Sequence, residues 1–185
     1  MFPAFLDTCV LFKPYLCDTL LTIAEAEVYR PLWSTGVLEE LDRNLRKRGL
    51  SEEQVSRRLE RMRRNFPDAE ITGYQHLIHA MTNDPKDHHV LAAAVRGGAA
   101  VVVTENLKDF PEFALEGYGI TALHQDDFLL DQLDLAPRAV TAALRRQASR
   151  YRKAPRSVED LLVLLGNEGH GCQGFADACR SRFTS

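Results

Sequence analysis

Phe2-Pro3-Ala4-Phe5-Leu6-Asp7 is an uninterrupted apolar run closed by a carboxylate. Apolar segments of this length suit strands of a parallel sheet that is covered on both faces. Further along, Gly97-Gly98 followed by Ala99–Thr104 reads as the clearest strand in the chain. Arg30–Ser34, Ala69–Thr72 and Gly119–Leu123 read as three more. Helical patterns lie between them, and that alternation predicts an α/β fold with a parallel sheet flanked by helices.

The helices follow from periodicity and caps. Leu16, Leu20, Ile23 and Ala24 keep a helical period, so one helix is expected over roughly residues 9–27. Ser34 or Thr35 caps the next, with Leu38, Leu41 and Leu45 as its apolar face and Gly49 past its end. Ser51 and Gln54 have capping-box spacing and open a helix carrying Val55, Leu59, Met62 and Phe66, stopped by Pro67. Asp84 or Asp87 begins a helix that ends at Gly97. After about Asp126 the strands stop, and Phe128–Leu133, Pro137–Tyr151, Val158–Leu165 and Phe175–Arg182 read as helices, with Val140, Leu144 and Tyr151 on one face. Residues 1–125 are therefore expected to form the core domain and residues 126–185 a helical extension packed on it.

A chain of 185 residues, 45% hydrophobic and 26% charged, is an ordinary globular protein. Its net charge of −3 gives no global basic bias. The charge is unevenly spread. Nine basic residues fall between Arg43 and Arg64, and a second cationic stretch runs from Arg138 to Arg156. Either stretch is a solvated helix face or a flank for a phosphate backbone. Arg43, Arg46, Arg58 and Arg61 are the candidate contacts to such a backbone. The N-terminus lacks the basic region of a secretory signal, and Cys9, Cys17, Cys172 and Cys179 form no C-x-x-C pair, so a reducing cytoplasm with free thiols is expected. Cys172 and Cys179 have a core-facing helical spacing. No apolar run is long enough to span a bilayer, so no membrane partner is expected.

Four acids carry the chemistry. Asp7 follows the first strand, Glu40 lies one turn inside a helix, Asp87 opens Asp87-His88-His89-Val90-Leu91-Ala92-Ala93-Ala94, and Asp109 follows Val101-Val102-Val103-Thr104. Parallel strands deliver their C-terminal ends to one edge of a sheet, so the segments that follow them become neighbours. Gathered carboxylates repel and desolvate at a cost, and need a cation. Hard oxygen ligands select Mg2+ or Mn2+, which orients a phosphate and activates water. The plainer reading of any one Asp is a helix cap or turn residue.

Other constellations are weaker. Phosphate-cradling glycine loops are missing, as is a G-x-S-x-G elbow. His76 and His79 read as helix-surface residues without companions for zinc, and His88 and His89 either face the site or pack beneath it. A phosphatase would want a second Asp two residues after Asp7, where Cys9 stands.

Asp7-Thr8-Cys9-Val10-Leu11, Glu39-Glu40-Leu41, Asp84-Pro85-Lys86-Asp87-His88-His89-Val90-Leu91-Ala92-Ala93-Ala94 and Thr104-Glu105-Asn106-Leu107-Lys108-Asp109-Phe110-Pro111 together resemble the PIN-domain family, in the order and spacing of VapC-type toxins of type II toxin–antitoxin systems. The resemblance covers about residues 2–125, and the helical tail is similar to the C-terminal extension of some of these toxins. It implies a PIN fold and an Mg2+- or Mn2+-dependent endoribonuclease whose family acids match Asp7, Glu40, Asp87 and Asp109. Asp7, Asp87 and Asp109 would be the metal ligands. Glu39 competes with Glu40, and Asp84 is an outer candidate. Where many members have T-x-D, this chain has Asn106, and Asp109 follows three residues later. Thr8 and Thr104 would orient carboxylates or waters, and Asn106 a water or the phosphate.

The resemblance further implies an RNA substrate, a small VapB-like antitoxin that covers the site, and a homodimer. A DNA-directed structure-specific nuclease uses the same carboxylates, and a binding module with a silent site is the remaining alternative.

Overall fold

The computed structural model describes residues 1–183. Its strands are β1 (Pro3–Leu6), β2 (Arg30–Ser34), β3 (Glu70–Ile71), β4 (Val101–Val103) and β5 (Thr121–Leu123). All pair in parallel, in the order β3-β2-β1-β4-β5. The helices are α1 (Thr8–Phe12), α2 (Pro14–Glu25), α3 (Thr35–Lys47), α4 (Glu52–Asn65), α5 (His88–Arg96), α6 (Glu112–Leu115), α7 (Gln125–Leu135), α8 (Pro137–Arg150), α9 (Val158–Leu165) and α10 (Gln173–Phe183). The expected parallel α/β sheet flanked by helices is therefore present.

By its contacts the chain divides into two compact units. One holds Phe2–Phe12 and Arg30–Leu123, with the whole sheet. The other holds Lys13–Tyr29 and the chain from His124 onward. Residues 13–29 thus group with the C-terminal helices and not with the sheet.

In the sheet unit, the apolar runs are buried as their continuity requires. Ala4, Phe5, Leu6, Leu32, Trp33, Val102 and Val103 are all shielded. Burying the larger of these side chains stabilises by about 1.5–3 kcal/mol each. The edge-on contact of Trp33 with Phe66, 5.9 Å between ring centres, fixes the end of α4 against β2. Ser34 caps α3, accepting from Val37 N at 3.0 Å. Ser51 and Gln54 form the expected capping box on α4.

The helical unit is built from α2, α7, α8, α9 and α10. Leu16, Leu20, Ile23, Phe128, Val140, Leu144, Leu161, Leu165 and Phe175 are buried in it. Gln147 is also buried, and it is satisfied: it accepts from Thr19 Oγ1 at 2.9 Å and donates to Tyr15 O and Tyr151 Oη. Arg146 and Arg150 pair with Glu25 at 3.6 and 3.4 Å and donate to Thr22, so part of the second cationic stretch is spent inside this unit.

Several sequence expectations need correction. The helix expected over residues 9–27 is two helices, because Pro14 occupies the first turn of α2 and the preceding Lys13 is pushed to extended backbone, φ −78° and ψ 114°. The segment of His76 and His79, read as the surface of a helix, is a 3-10 helix, Gln75–Ala80. Cys172 is buried but lies just before α10 and not on it. No disulfide joins the four cysteines.

Candidate active site

The strand order creates the site. From β1 the chain builds outward through β2 and β3, then returns to the other side of β1 with β4. The reversal lies between β1 and β4, where the connections diverge and leave a crevice beyond the strand ends. Asp7 ends β1 and donates its N–H to Val103 O at 3.1 Å, while its carbonyl accepts from Val10 and Leu11 to start α1. Thr104 follows β4 directly. One acid and one hydroxyl thus meet at the crevice because two adjacent parallel strands end there.

Asp7 is held rigidly. Oδ1 accepts from Thr8 N at 2.6 Å, and Oδ2 accepts from Thr104 Oγ1 at 2.7 Å and from Cys9 Sγ at 3.3 Å. The residue is buried, and burial raises its pKa above the ordinary carboxylate value; the hydrogen bonds from Thr104, Cys9 and Thr8 oppose the rise, and the charge of Glu40 adds to it. Glu40 accepts from Thr8 Oγ1 at 2.8 Å. Thr8 therefore binds two of the four acids at once, one through its backbone and one through its hydroxyl. Glu39, one position away, is exposed and lines a groove between α3 and α4 with Leu38, Asp42, Arg43, Leu59 and Arg63.

Asp87 arrives on the turn before α5. It stands at the N-cap position, yet its side chain makes no capping bond. Asp84 does the capping, accepting from Lys86 N at 3.1 Å. The cap reading thus fits Asp84 and leaves the Asp87 carboxylate free for the crevice. Its pKa is pushed up to about 7, first by burial, then by the negative charge of Asp7, with Asp109 and Asp84 adding and Lys86 opposing. That coupling puts Asp87 within electrostatic reach of both Asp7 and Asp109. The turn is braced by His88 Nε2 on Asn83 O at 3.0 Å and by Asp84 N donating to Asp109 O at 3.1 Å. His89 Nδ1 and the Tyr74 hydroxyl instead lie beside Gly36, where a Cβ would meet Tyr74 Oη at 2.6 Å.

Asp109 is buried, whereas Asn106 is exposed at the start of the same loop and binds Thr104 Oγ1 through its backbone N–H at 3.1 Å. Lys86 Nζ lies 3.0 Å from Asp109 Oδ2. The two form a close ion pair, and the carboxylate raises the pKa of the ammonium, while Oδ2 is itself shielded from water. His76 and His79 are exposed on their 3-10 helix.

The candidate RNA contacts separate into two kinds. Arg46 is committed to Asp42 at 2.7 Å, and Arg58 donates to Leu11 O at 2.6 Å. Arg43 and Arg61 are exposed, with no ion pair among the described residues.

As the side chains stand, no three His, Cys, Asp or Glu among the described residues are close enough to hold one ion. The donors offered here are carboxylate oxygens, one of them the buried Oδ2 of Asp109, and such hard oxygen donors are the kind that divalent cations like Mg2+ and Mn2+ take.

A family model described as "PIN domain" matches residues 3–108, more than half of the chain. The chain belongs to the PIN-domain family. Beyond the PIN domain, residues 125–181 match a model described as "VapC50 C-terminal domain". A Mycobacterium tuberculosis protein named "Putative ribonuclease VapC50" is 53% identical over 96 residues, 52% of this chain and 57% of that relative's length. The matched stretch thus spans little more than half of the relative. No solved structure matches the chain. Among the described residues no helix is long and apolar enough to cross a membrane.

Two contributors to the PIN-domain site carried no sequence signal of their own. Cys9 donates to Asp7 and accepts from Glu105 N at 3.3 Å. Burial and the charge of Asp7 push its thiol up to about 12, so it stays protonated and acts as a donor. Lys86 reads in sequence as a surface charge; only its position directly before Asp87 hints at more.

Proposed function

We propose that this protein is a metal-dependent endoribonuclease and the toxin of a toxin–antitoxin pair, cleaving RNA at Asp7, Glu40, Asp87 and Asp109. The observation that supports it most is the electrostatic coupling of Asp87 to Asp7 and Asp109 at the sheet's switch point. The relative named as a ribonuclease supports the same reading.

Each residue has a task in this reading. Asp7, Asp87 and Asp109 would hold Mg2+ or Mn2+. When bound, the ion supplies a Lewis acid that orients the scissile phosphate and lowers the pKa of an attacking water. Thr104 and Thr8 N keep both Asp7 oxygens oriented. Thr8 Oγ1 aims Glu40, which is half-exposed and would accept a proton from that water. Asp84 holds the turn that delivers Asp87. Asn106, exposed at the rim, offers an amide to a phosphate oxygen or a water. Arg43 and Arg61 supply charge for the RNA backbone away from the acids. The partner is a small VapB-like antitoxin that presents a cationic side chain to the acidic crevice and competes with the ion. The protein works in the cytoplasm, as a homodimer.

Purified protein is expected to cut RNA with Mn2+ or Mg2+ and to lose this with EDTA. Asp7→Asn is expected to abolish cutting while the circular dichroism spectrum remains native. Equal cutting by that variant would overturn the proposal, and cutting of structured DNA but not RNA would favour the DNA-directed alternative.

A further inference from the structure

The cation that the crevice calls for is partly present already, as a side chain. Lys86 sits between Asp84, the cap of its turn, and Asp87. It is 62% exposed, yet its ammonium reaches inward to within 3.0 Å of Asp109 Oδ2, an atom shielded from water. A flexible, strongly hydrated lysine gains little from surface contacts, and most such pairs contribute little to stability. This one is different because one partner is buried and the ammonium also feels the negative charges of Asp84 and Asp87. The backbone bond from Asp84 N to Asp109 O fixes the distance between the two loops, so the pairing is built into the turn.

Resting on the metal-site reading above, we infer that Lys86 is a built-in counter-cation: its ammonium holds Asp109 in the metal-free protein, a divalent ion must displace it, and the displaced ammonium then meets a phosphate oxygen of the substrate. Two cations cannot share Oδ2 at close range without repulsion, so binding of the ion and retention of the Lys86 contact oppose each other. Lys86 has the reach to leave because most of its stem lies in solvent. Once displaced it stands one residue from Asp87, at the edge of the crevice that the phosphate must enter. Lys86 would thus set the metal concentration at which the site fills, and would serve the substrate only afterwards.

The test compares wild type, Lys86→Met, Lys86→Arg and Asp87→Asn, all at a residue exposed enough or polar enough to leave the fold intact. Mn2+ binding is measured by calorimetry without RNA. Lys86→Met is expected to bind Mn2+ about fivefold more tightly than wild type or better, at or above the top of the range for an exposed pair because Asp109 is buried, and Lys86→Arg to bind as wild type does. Amine labelling of Lys86, mapped by mass spectrometry, is expected to speed up when Mn2+ is added to wild type. At saturating Mn2+, Lys86→Met is expected to raise KM for RNA with kcat nearly unchanged. Equal or weaker Mn2+ binding by Lys86→Met, or labelling indifferent to Mn2+, overturns the role of Lys86. If instead wild type and Asp87→Asn bind Mn2+ equally or not at all, the metal-site reading itself fails, and the inference with it.

Discussion

Thr8 Oγ1 donates to Glu40 Oε2 at 2.8 Å across 32 residues of sequence, while the same residue's N–H donates to Asp7 Oδ1. One threonine thereby sets the separation of two acids that come from a strand end and from a helix. Thr8→Val keeps the shape and the N–H but removes the hydroxyl. Its expected cost is about 1 kcal/mol of stability for the lost hydrogen bond. Nuclease activity is expected to fall about 10- to 100-fold, the usual effect of removing a group that orients a metal-site carboxylate. Thr8→Ser restores both. Wild-type activity in Thr8→Val, measured at saturating Mn2+, would show that the position of Glu40 does not matter.

Much of this arrangement was legible beforehand because it rests on local chemistry. Asp7 could be placed since an apolar run must end where the strand leaves the sheet, and α3 and α4 announced themselves through Ser34 and the Ser51–Gln54 box. What stayed hidden was long-range. Whether Asp84 or Asp87 caps the turn depends on which carboxylate finds the Lys86 N–H. Glu39 and Glu40 differ only in which one meets Thr8. Arg46 and Arg58 read as free charge, but their partners are Asp42 and a carbonyl 47 residues away. The break at Lys13 was locally encoded by Pro14, and the continuous apolar period across it masked that signal.

The crowding of the acids has a pH signature. Asp87 is ordinarily half-protonated at 3.8 and in the fold at about 7, so the folded chain binds this proton more tightly than the unfolded one. The resulting stability is complete below 3.8 and is lost as pH rises through about 7. Metal-free protein is expected to melt at lower temperature at pH 8 than at pH 6, by at most about 1 kcal/mol after solvent screening, or about 2–4 °C. Asp7 is shifted in the same direction, so Asp87→Asn flattens the profile in part and the Asp7→Asn/Asp87→Asn pair flattens it further. With saturating Mn2+ the trend reverses, because a bound cation favours the ionised carboxylates. A melting temperature that rises with pH in the metal-free protein would contradict the crowding.

Arg58 and Arg61 lie on one helix, three residues apart, and should fail differently. Arg58 is half-buried and donates to the carbonyl of Leu11 near the end of α1. Arg58→Ala is expected to lower stability by about 1–3 kcal/mol, since that carbonyl loses a charged donor. Arg61 is exposed. Arg61→Ala is expected to leave the melting temperature within about 0.5 kcal/mol of wild type and to reduce the salt dependence of RNA binding by about one phosphate contact. Melting curves and a salt titration of RNA affinity separate the two; an unchanged salt slope for Arg61→Ala would remove α4 from the RNA path.

The helical unit offers a test that does not involve the acids of the crevice. Asp126, in the first turn of α7, accepts from Gly174 N at 3.0 Å and from Phe175 N at 2.7 Å. Those N–H groups belong to the first turn of α10, where the helix supplies no partners of its own and its dipole favours negative charge. The carboxylate approaches so closely that a Cβ on Gly174 would lie 2.8 Å from Asp126 Oδ2. Asp126→Ala is expected to cost about 1–2 kcal/mol, as loss of a helix cap does. Gly174→Ala is expected to destabilise too, although alanine is the better helix former, because the added methyl displaces the carboxylate. If the two residues act through the same contact, the double variant costs less than the sum of the single ones. Strict additivity in denaturant melts would show that the close approach of Asp126 to α10 contributes nothing.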